Sequence, residues 1–521
     1  MPLFSIITPV YDPPLDAFEQ CVRSILGQTF TDWEWCLAND ASPDSRVSER
    51  LRDLQRTDAR IRVVDRPVNG GIVAASNSAL AIARGEFLVL LDNDDELRND
   101  ALALVAVAVG SAADVDYVYS DEDKIDIHGT RFDPFHKPDW SPERLLAQNY
   151  TSHLSVLRRT LVNRVGRFRA GFDGSQDYDL VLRVTEQARR IVHVPQVLYH
   201  WRTLPTSTAT AASAKPYAFR AAVRAVGEHL ERGGITAEID EVVSSVARIR
   251  RRPTHQPEVS IIFPIDESCR TIFGAETSLA VHALRSLVSR TSYDNYRVLL
   301  VAPESVSDAF IESLTARCST PVTIVRAGTS YDRAHLINAG LVACDTQRAV
   351  LFDQRCEIVD ADWLQVLLGY EHRDGVAMIA PVILDDEGWI VSAGLAMYPE
   401  AHHVGQGCRH DDPGEFGMFA MARECSGVAT SCALVDVAVL KTIGGLSCDY
   451  RTEFHDFDLA RKMHRSGFHA IISPLTRIRM HSSSDDVESD RQLFESRWHS
   501  AIDPFARSDT RSTLRRLAVA N

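Results

Sequence analysis

The sequence predicts an α/β protein with two tandem domains, each built on an open, mostly parallel sheet. Three observations lead there. Apolar runs of about five residues alternate with helix-period segments. The whole pattern occurs twice. And 521 residues are too many for one ordinary core.

The first copy opens with "FSIITPVYDPPLDAFEQCVRSILGQTFTDWEWCLANDAS", which reads as strand, loop, helix, strand. From Val259, "VSIIFPIDES…SLAVHALRSLVSRTSYDNYRVLLVAPES" repeats that order. The match continues as "IRVVDRPVNGGIVAASNSALAIARGEFLVLLD" against "VTIVRAGTSYDRAHLINAGLVACDTQRAVLFD". Asn77 pairs with Asn338 and Asp92 with Asp353, both 261 residues apart, so this block aligns without a gap. Later "GSQDYDLVLRV" answers "EFHDFDLARKM". The division expected is 1–252 and 253–521, with a helix and linker from about residue 203 and a boundary near Pro253. The helix is "YAFRAAVRAVGEHLERGG", ended by Gly233 and Gly234; the strand-like "SSVARIRRRP" follows. "TLPTSTATAASAK" is expected to be a loop over a site.

Composition narrows the function. A net charge of −15 argues against a nucleic-acid partner, because phosphate binding needs a basic surface. It leaves room for an anion held through a divalent cation. The start "MPLFSIITPV" lacks a basic region and cleavage site, so no signal peptide is expected. No apolar run reaches the ~18 residues that span a bilayer. Ten cysteines without metal-finger spacing read as reduced thiols in a cytoplasmic protein.

Ligands of open α/β sheets sit outside the carboxyl ends of strands. Four groups fall there: Thr8, Pro9, Tyr11 and Asp12; Asn39, Asp40 and Ser42; Arg66, Asn69, Gly70 and Gly71; and Asp92, Asn93, Asp94 and Asp95. The Asp92–Asp94 pair suits a hard divalent cation, which favours carboxylate oxygen and also binds diphosphate. A solvated Asp-rich turn is the simpler account of an isolated Asp-x-Asp. Asp177 suits a general base, whereas Asp179 fits a helix cap as readily. His200 alone reads as a core or loop histidine; near a phosphate site it becomes a third metal ligand.

These motifs resemble the inverting family 2 glycosyltransferases of GT-A fold. "SIITPVYD", "NDASPD", "NGGIVAASNSAL", "GEFLVLLDNDDEL", "GSQDYDLVLRV" and "HVPQVLYHWR" carry the likeness, in order, from Leu3 to about Arg202. "YSDEDKID" and "FHKPDWSPERLLAQNY" look like the bacterial surface-polysaccharide branch. The resemblance implies a nucleotide-diphosphosugar donor, UDP- or dTDP-linked, and Mn²⁺ or Mg²⁺. It implies that Thr8, Pro9, Tyr11, Asp40, Arg66, Asn69, Gly70, Asp92 and Asn93 line the donor site, Asp40 reading the base. Asp92, Asp94 and His200 would hold the metal, and Asp177 would deprotonate the acceptor hydroxyl. A glycan or lipid-linked glycan acceptor at the inner face of the cytoplasmic membrane is implied, with peripheral association only.

The second half, from Val259 to about Ser484, resembles rhamnosyltransferase-like members through "IVSAGLAMYP", "GVATSCALVDVAVLKTIGGL" and "EFHDFDLARKMHRSGF". It keeps Asp353 and a second candidate base, Asp456. At the place of Asp94 it has Arg355, which cannot ligate a metal. Cys356 replaces Asp95, and Tyr331 and Asp332 replace Gly70 and Gly71. Catalysis is therefore expected in the first half, with a bifunctional enzyme as the alternative. A sugar-binding scaffold and a nucleotidyltransferase are the readings from other classes.

Overall fold

The computed structural model describes residues 1–203, 216–240, 246–371, 373–397, 400–452, 454–481, 488–498 and 503–506. From residue 204 the expected Ser/Thr/Ala loop lies outside them. The chain forms two compact units. One holds Met1–Trp140 and Gln148–Gly234; the other holds Ser141–Ala147 and the chain from Val246. The strand Ala237–Asp240 also belongs to the second unit, paired antiparallel with Arg248–Arg251. The units therefore do not divide at a single point such as Pro253.

The first sheet contains β1 (Phe4–Val10), β2 (Trp33–Asn39), β3 (Ile61–Asp65), β4 (Phe87–Leu90), β5 (Glu96–Leu97), β6 (Val115–Ile125), β7 (Arg131–Phe135), β8 (Ser155–Arg158) and β9 (Arg190–Arg202). Their order is β3-β2-β1-β4-β8-β6-β9-β5, with β7 beside β6. The strands β3, β2, β1 and β4 run parallel. β8 is antiparallel to both neighbours, and β9 is again parallel to β6.

Sequence pattern explains the local structure. Every residue of β2 is buried and nearly every one of β1, as expected where both faces of a sheet are covered. The helix Leu15–Leu26 buries Ala17, Phe18, Cys21, Val22 and Ile25, a stripe at helical spacing. Asp44 caps Ser45–Thr57 by accepting from the Arg46 amide. Phe4, Trp35, Leu37, Phe87 and Val89 join these helices in one core, each large side chain contributing roughly 1.5–3 kcal/mol.

The second sheet repeats the first sheet's order along its main path and adds a strand, Arg423–Cys425, beside His469–Met480. Val322–Arg326, Tyr296–Ala302, Val259–Pro264, Arg348–Phe352, Cys432–Asp436, Val376–Leu384, His469–Met480 and Cys356–Ile358 occupy the places of β3, β2, β1, β4, β8, β6, β9 and β5. Their pairing directions match as well. One insertion stands out. A hairpin, Cys269–Ile272 with Ala275–Ser278, precedes the helix Leu279–Arg290; in the first unit Pro13 and Pro14 lead directly into Leu15–Leu26.

All ten cysteines are free and seven are buried. Among the described residues no helix is long and apolar enough to cross a membrane.

Candidate active site

The carboxyl ends of the parallel strands coincide, because Val10 lies opposite Asn39 and Asn39 opposite Asp65. The residues that follow therefore share one edge. The Asp40 amide donates to Val10 O at 2.8 Å and the Arg66 amide to Asn39 O at 2.9 Å. The Asn93 amide group donates to Pro9 O at 2.9 Å, tying the acidic turn to the end of β1.

Several expected donor-site residues already have partners. Thr8 is fully buried and its hydroxyl accepts from Trp35 Nε1 at 2.9 Å. Asp40, also buried, accepts from Arg66 Nε at 2.6 Å and from the Gly70 and Gly71 amides, Gly71 at 2.8 Å. It orders the turn that starts the helix Gly71–Ile82. That turn needs glycine, since Gly71 has φ +80° and a Cβ on Gly70 would come within 2.9 Å of Ala74 Cβ. Arg66 continues to Ser78 Oγ at 2.8 Å. Asn69 Oδ1 accepts from Gly71 N at 3.0 Å. Tyr11, half-exposed, stands open at the same edge.

Two carboxylates and a histidine converge next to this wall, with Asp94 and Asp177 near enough to act on Asp92. Donor atoms of Asp92, Asp95 and His153 lie within 4.8 Å of one another. Asp92 is exposed, as an incoming ligand requires. Even so, loss of surrounding water, then the charge of Asp94, with Asp177 adding, pushes its carboxyl up to about 6. Burial also raises Asp94, Asp95 and Asp177, with Asp94 and Asp92 adding to the rise of Asp95. Asp177 lies in the first turn of the helix Gln176–Thr185, where its Oδ2 accepts from Asn149 Nδ2 at 2.9 Å. The base candidate and the acid turn therefore act on each other through space.

The opposing positive charge comes from His153. Burial works against its imidazolium, yet Glu122, Asp95 and Asp92 push it up to about 9. Glu122 accepts from His153 Nδ1 at 3.2 Å and from Lys137 Nζ at 3.0 Å. Lys137 is fully buried, which a lysine tolerates only when paired. The His153 ring stacks on Tyr199, with centroids 4.7 Å apart. Tyr199 in turn donates its hydroxyl to Asp95 Oδ2 at 2.5 Å. Arg202 fixes the turn from behind, its amide donating to Asp95 Oδ1 at 2.7 Å and its Nε to Asp94 O at 2.6 Å.

His200 lies outside the converging group. Its Nδ1 meets Asp123 Oδ1 at 2.5 Å, while its buried Nε2 makes no hydrogen bond. A carboxylate on one nitrogen and a free second nitrogen is how ligating histidines are commonly oriented. Asp179 proves to be a core ion pair, buried between Arg169 and Arg183, rather than a cap. His153, Asn149, Glu122 and Lys137 were not singled out from sequence. The last three lay inside recognised motifs, and Lys137 and Glu122 shared a usable signal: a lysine within a strand-rich acidic segment must find a carboxylate.

The corresponding place in the second unit is neutralised. Asp353 is held by Arg355 and by Arg333 Nε at 2.7 Å, well below the usual carboxylate range despite its burial. Asp456 accepts from the Thr430 amide at 2.9 Å and hydroxyl at 2.5 Å, with His455 at 3.2 Å. Against burial, His455 and then Arg333 hold it down to about 2.

Residues 5–166 match the family model described as glycosyl transferase family 2. The chain is 32% identical over 523 residues to the uncharacterized protein y4gI of Sinorhizobium fredii, covering 96% of this chain and 55% of the relative. It is 29% identical over 486 residues to the O-antigen biosynthesis protein RfbC of Myxococcus xanthus, covering 93% and 38%. Over 201 residues it is 29% identical to a chondroitin synthase of Pasteurella multocida, covering 38% and 20%. The chain thus spans about half, or less, of the length of the curated relatives it matches.

Proposed function

Residues 5–166 match the model of glycosyl transferase family 2, and we propose that the chain transfers a sugar from a nucleotide-diphosphosugar to a growing surface polysaccharide. The observation that carries this reading is the convergence of Asp92, Asp95 and His153 donor atoms within 4.8 Å of one another at the sheet edge. Burial and neighbouring carboxylates raise Asp92 and Asp95, and His153 offsets them only in part, which leaves room for a cation. The likeness to proteins named for O-antigen biosynthesis and chondroitin synthesis supports a polysaccharide product.

The residues present fit a hard divalent cation, Mn²⁺ or Mg²⁺, at Asp92, Asp95 and His153, whose donor atoms converge, with Asp94 and His200, outside that trio, as the further donors to be tested. Bound there, the cation would offset the charge that develops on the departing diphosphate. Asp177 takes the proton from the acceptor hydroxyl as that oxygen bonds to the anomeric carbon. The sugar–phosphate bond breaks on the opposite face, so configuration inverts. A raised pKa suits Asp177 to this, because it strengthens the base. Asp40 contributes by fixing the Arg66–Gly71 turn as a wall of the nucleotide pocket, and Tyr11, Asn69 and Asn93 border it. The donor is UDP- or dTDP-linked. The acceptor is a glycan, lipid-linked at the inner membrane face.

The second unit serves as a scaffold or acceptor-binding module, since Arg355 and Arg333 already neutralise Asp353. The deciding experiment screens the full chain for Mn²⁺-dependent hydrolysis across nucleotide sugars. One or a few donors should be cleaved, and Asp94→Ala should abolish cleavage. Failure of every donor, with or without acceptor glycans, would refute the proposal. Loss of one linkage each on Asp94→Ala and Asp456→Ala would instead establish two active units.

A further inference from the structure

The second unit contains a histidine–glutamate–histidine cluster that the proposed reaction does not use. His282, Glu357 and His481 are all buried, and one donor atom of each lies within 4.8 Å of the others. Glu357 Oε2 is 3.2 Å from His481 Nε2 and 3.7 Å from His282 Nε2. The second distance is too long for a hydrogen bond, and His282 Nε2 is left buried without one. A polar nitrogen in that position is costly unless something else occupies it.

The internal repeat shows what the position holds elsewhere. In the first unit Ser24 Oγ accepts from the Leu97 amide, and in the second Ser286 Oγ accepts from the Ile358 amide. Counting four residues back along each helix equates Gln20 with His282. The strand registers equate Glu96 with Glu357, and Arg202 with His481. In the first unit the three positions form a closed polar cluster. Arg202 Nη2 donates to Gln20 Oε1 at 2.7 Å and pairs with Glu96. The second unit replaces this guanidinium and its acceptor by two imidazoles around the same carboxylate. The exchange turns a set that cannot bind metal into one of ligating type.

We propose that the second unit binds a transition-metal ion of the zinc class through His282 Nε2, Glu357 Oε2 and His481 Nε2, with water in the fourth position. Imidazole and carboxylate donors in a three-ligand set suit tetrahedral zinc. The ion would lash the helix Leu279–Arg290 to the edge strand Cys356–Ile358 and to the end of its neighbour His469–Met480. Asp386 Oδ1 lies 2.6 Å from His481 Nδ1, near enough to become the outer carboxylate of a ligating histidine although the two are not aligned for a hydrogen bond. Arg479 and Arg290 hold Glu357 ionised and in place at 2.9 and 2.8 Å. Arg285 Nη2, 3.2 Å from His282 Nδ1, is exposed and swings into solvent as that nitrogen takes up its proton.

The test titrates Co²⁺ into the EDTA-stripped full chain carrying Asp92→Asn and Asp94→Asn, so that the acidic turn does not compete. A single equivalent should give the intense visible absorption of four-coordinate Co²⁺, bleached by Zn²⁺. His282→Gln with His481→Arg rebuilds the first unit's own cluster and should fold normally, as judged by circular dichroism, without that absorption. Asp386→Asn should weaken binding by about 10-fold or more. Absence of the absorption, or its persistence in the rebuilt variant, would overturn the site and leave a histidine–carboxylate cluster that holds no ion. Should the rebuilt variant misfold, His282→Gln alone gives the same reading.

Discussion

Arg355 grips Asp353 with two prongs, Nε on one carboxylate oxygen and Nη2 on the other, both at 2.9 Å. At the matching position of the first unit stands Asp94, whose charge helps to raise Asp92. One substitution thus separates a finished ion pair from an unfinished one. Arg355→Ala should cost roughly 1–3 kcal/mol in urea unfolding, moderated because Arg333 remains on Asp353. Donor hydrolysis should be unchanged. A drop in hydrolysis without a stability change would place donor chemistry in the second unit.

The acidic turn predicts how pH and metal interact. Asp92 sits at about 6, above the ordinary carboxylate value near 4, so the fold binds its proton more tightly than the unfolded chain does. Its contribution to stability is complete below about pH 4 and is lost as pH rises through 6. A bound cation reverses that loss. Saturating Mn²⁺ should therefore raise Tm more at pH 7.5 than at pH 5.5, and Asp94→Asn should remove the difference. His153→Ala and His200→Ala, compared in the same assay, identify the histidine that completes the site. A shift independent of pH would detach the metal from this turn.

Asp177→Asn keeps the shape of the side chain and its contact with Asn149 but removes the base. Transfer to acceptor should fall by about 10²–10⁴ in kcat, with donor KM nearly unchanged. If KM rises and kcat holds, Asp177 positions substrate and does not take the proton.

Much of this was legible from the chain alone, for reasons that residues make plain. The 261-residue offset linking Asp92 to Asp353 follows from two copies of one strand-end design, and the sheets repeat one strand order along their main paths. Arg355 announced itself because a guanidinium cannot do what a carboxylate does. His153 was not visible in the same way. A lone histidine carries no periodicity, and its role depends on Glu122 and Tyr199, which reach it from β6 and β9. The assignment of Ser141–Ala147 to the second unit was equally hidden, since it rests on single long-range contacts such as Ser141 with Glu424, 283 residues apart. Local pattern carries no record of such pairings.

That contact supplies a last prediction. Glu424 is buried in the second unit, where Ser141 Oγ donates to it at 2.5 Å and the Glu143 amide at 3.2 Å. Burial, then the charge of Glu143, pushes its carboxyl up to about 7. Arg251 Nη2, at 2.6 Å, and Arg373 Nε, at 2.9 Å, pair with Glu143, and Arg373 only partly offsets the rise at Glu424. The folded chain therefore favours the protonated acid. Stability from this group is full below the unfolded value near 4.3 and is lost as pH rises through 7. Glu424→Gln keeps an acceptor oxygen for Ser141 and never ionises. It should be close to neutral at pH 5 and stabilising at pH 8, by on the order of 1–3 kcal/mol in urea unfolding. An equal effect at both pH values would mean that Glu424 is ionised throughout and that its neighbours compensate it fully.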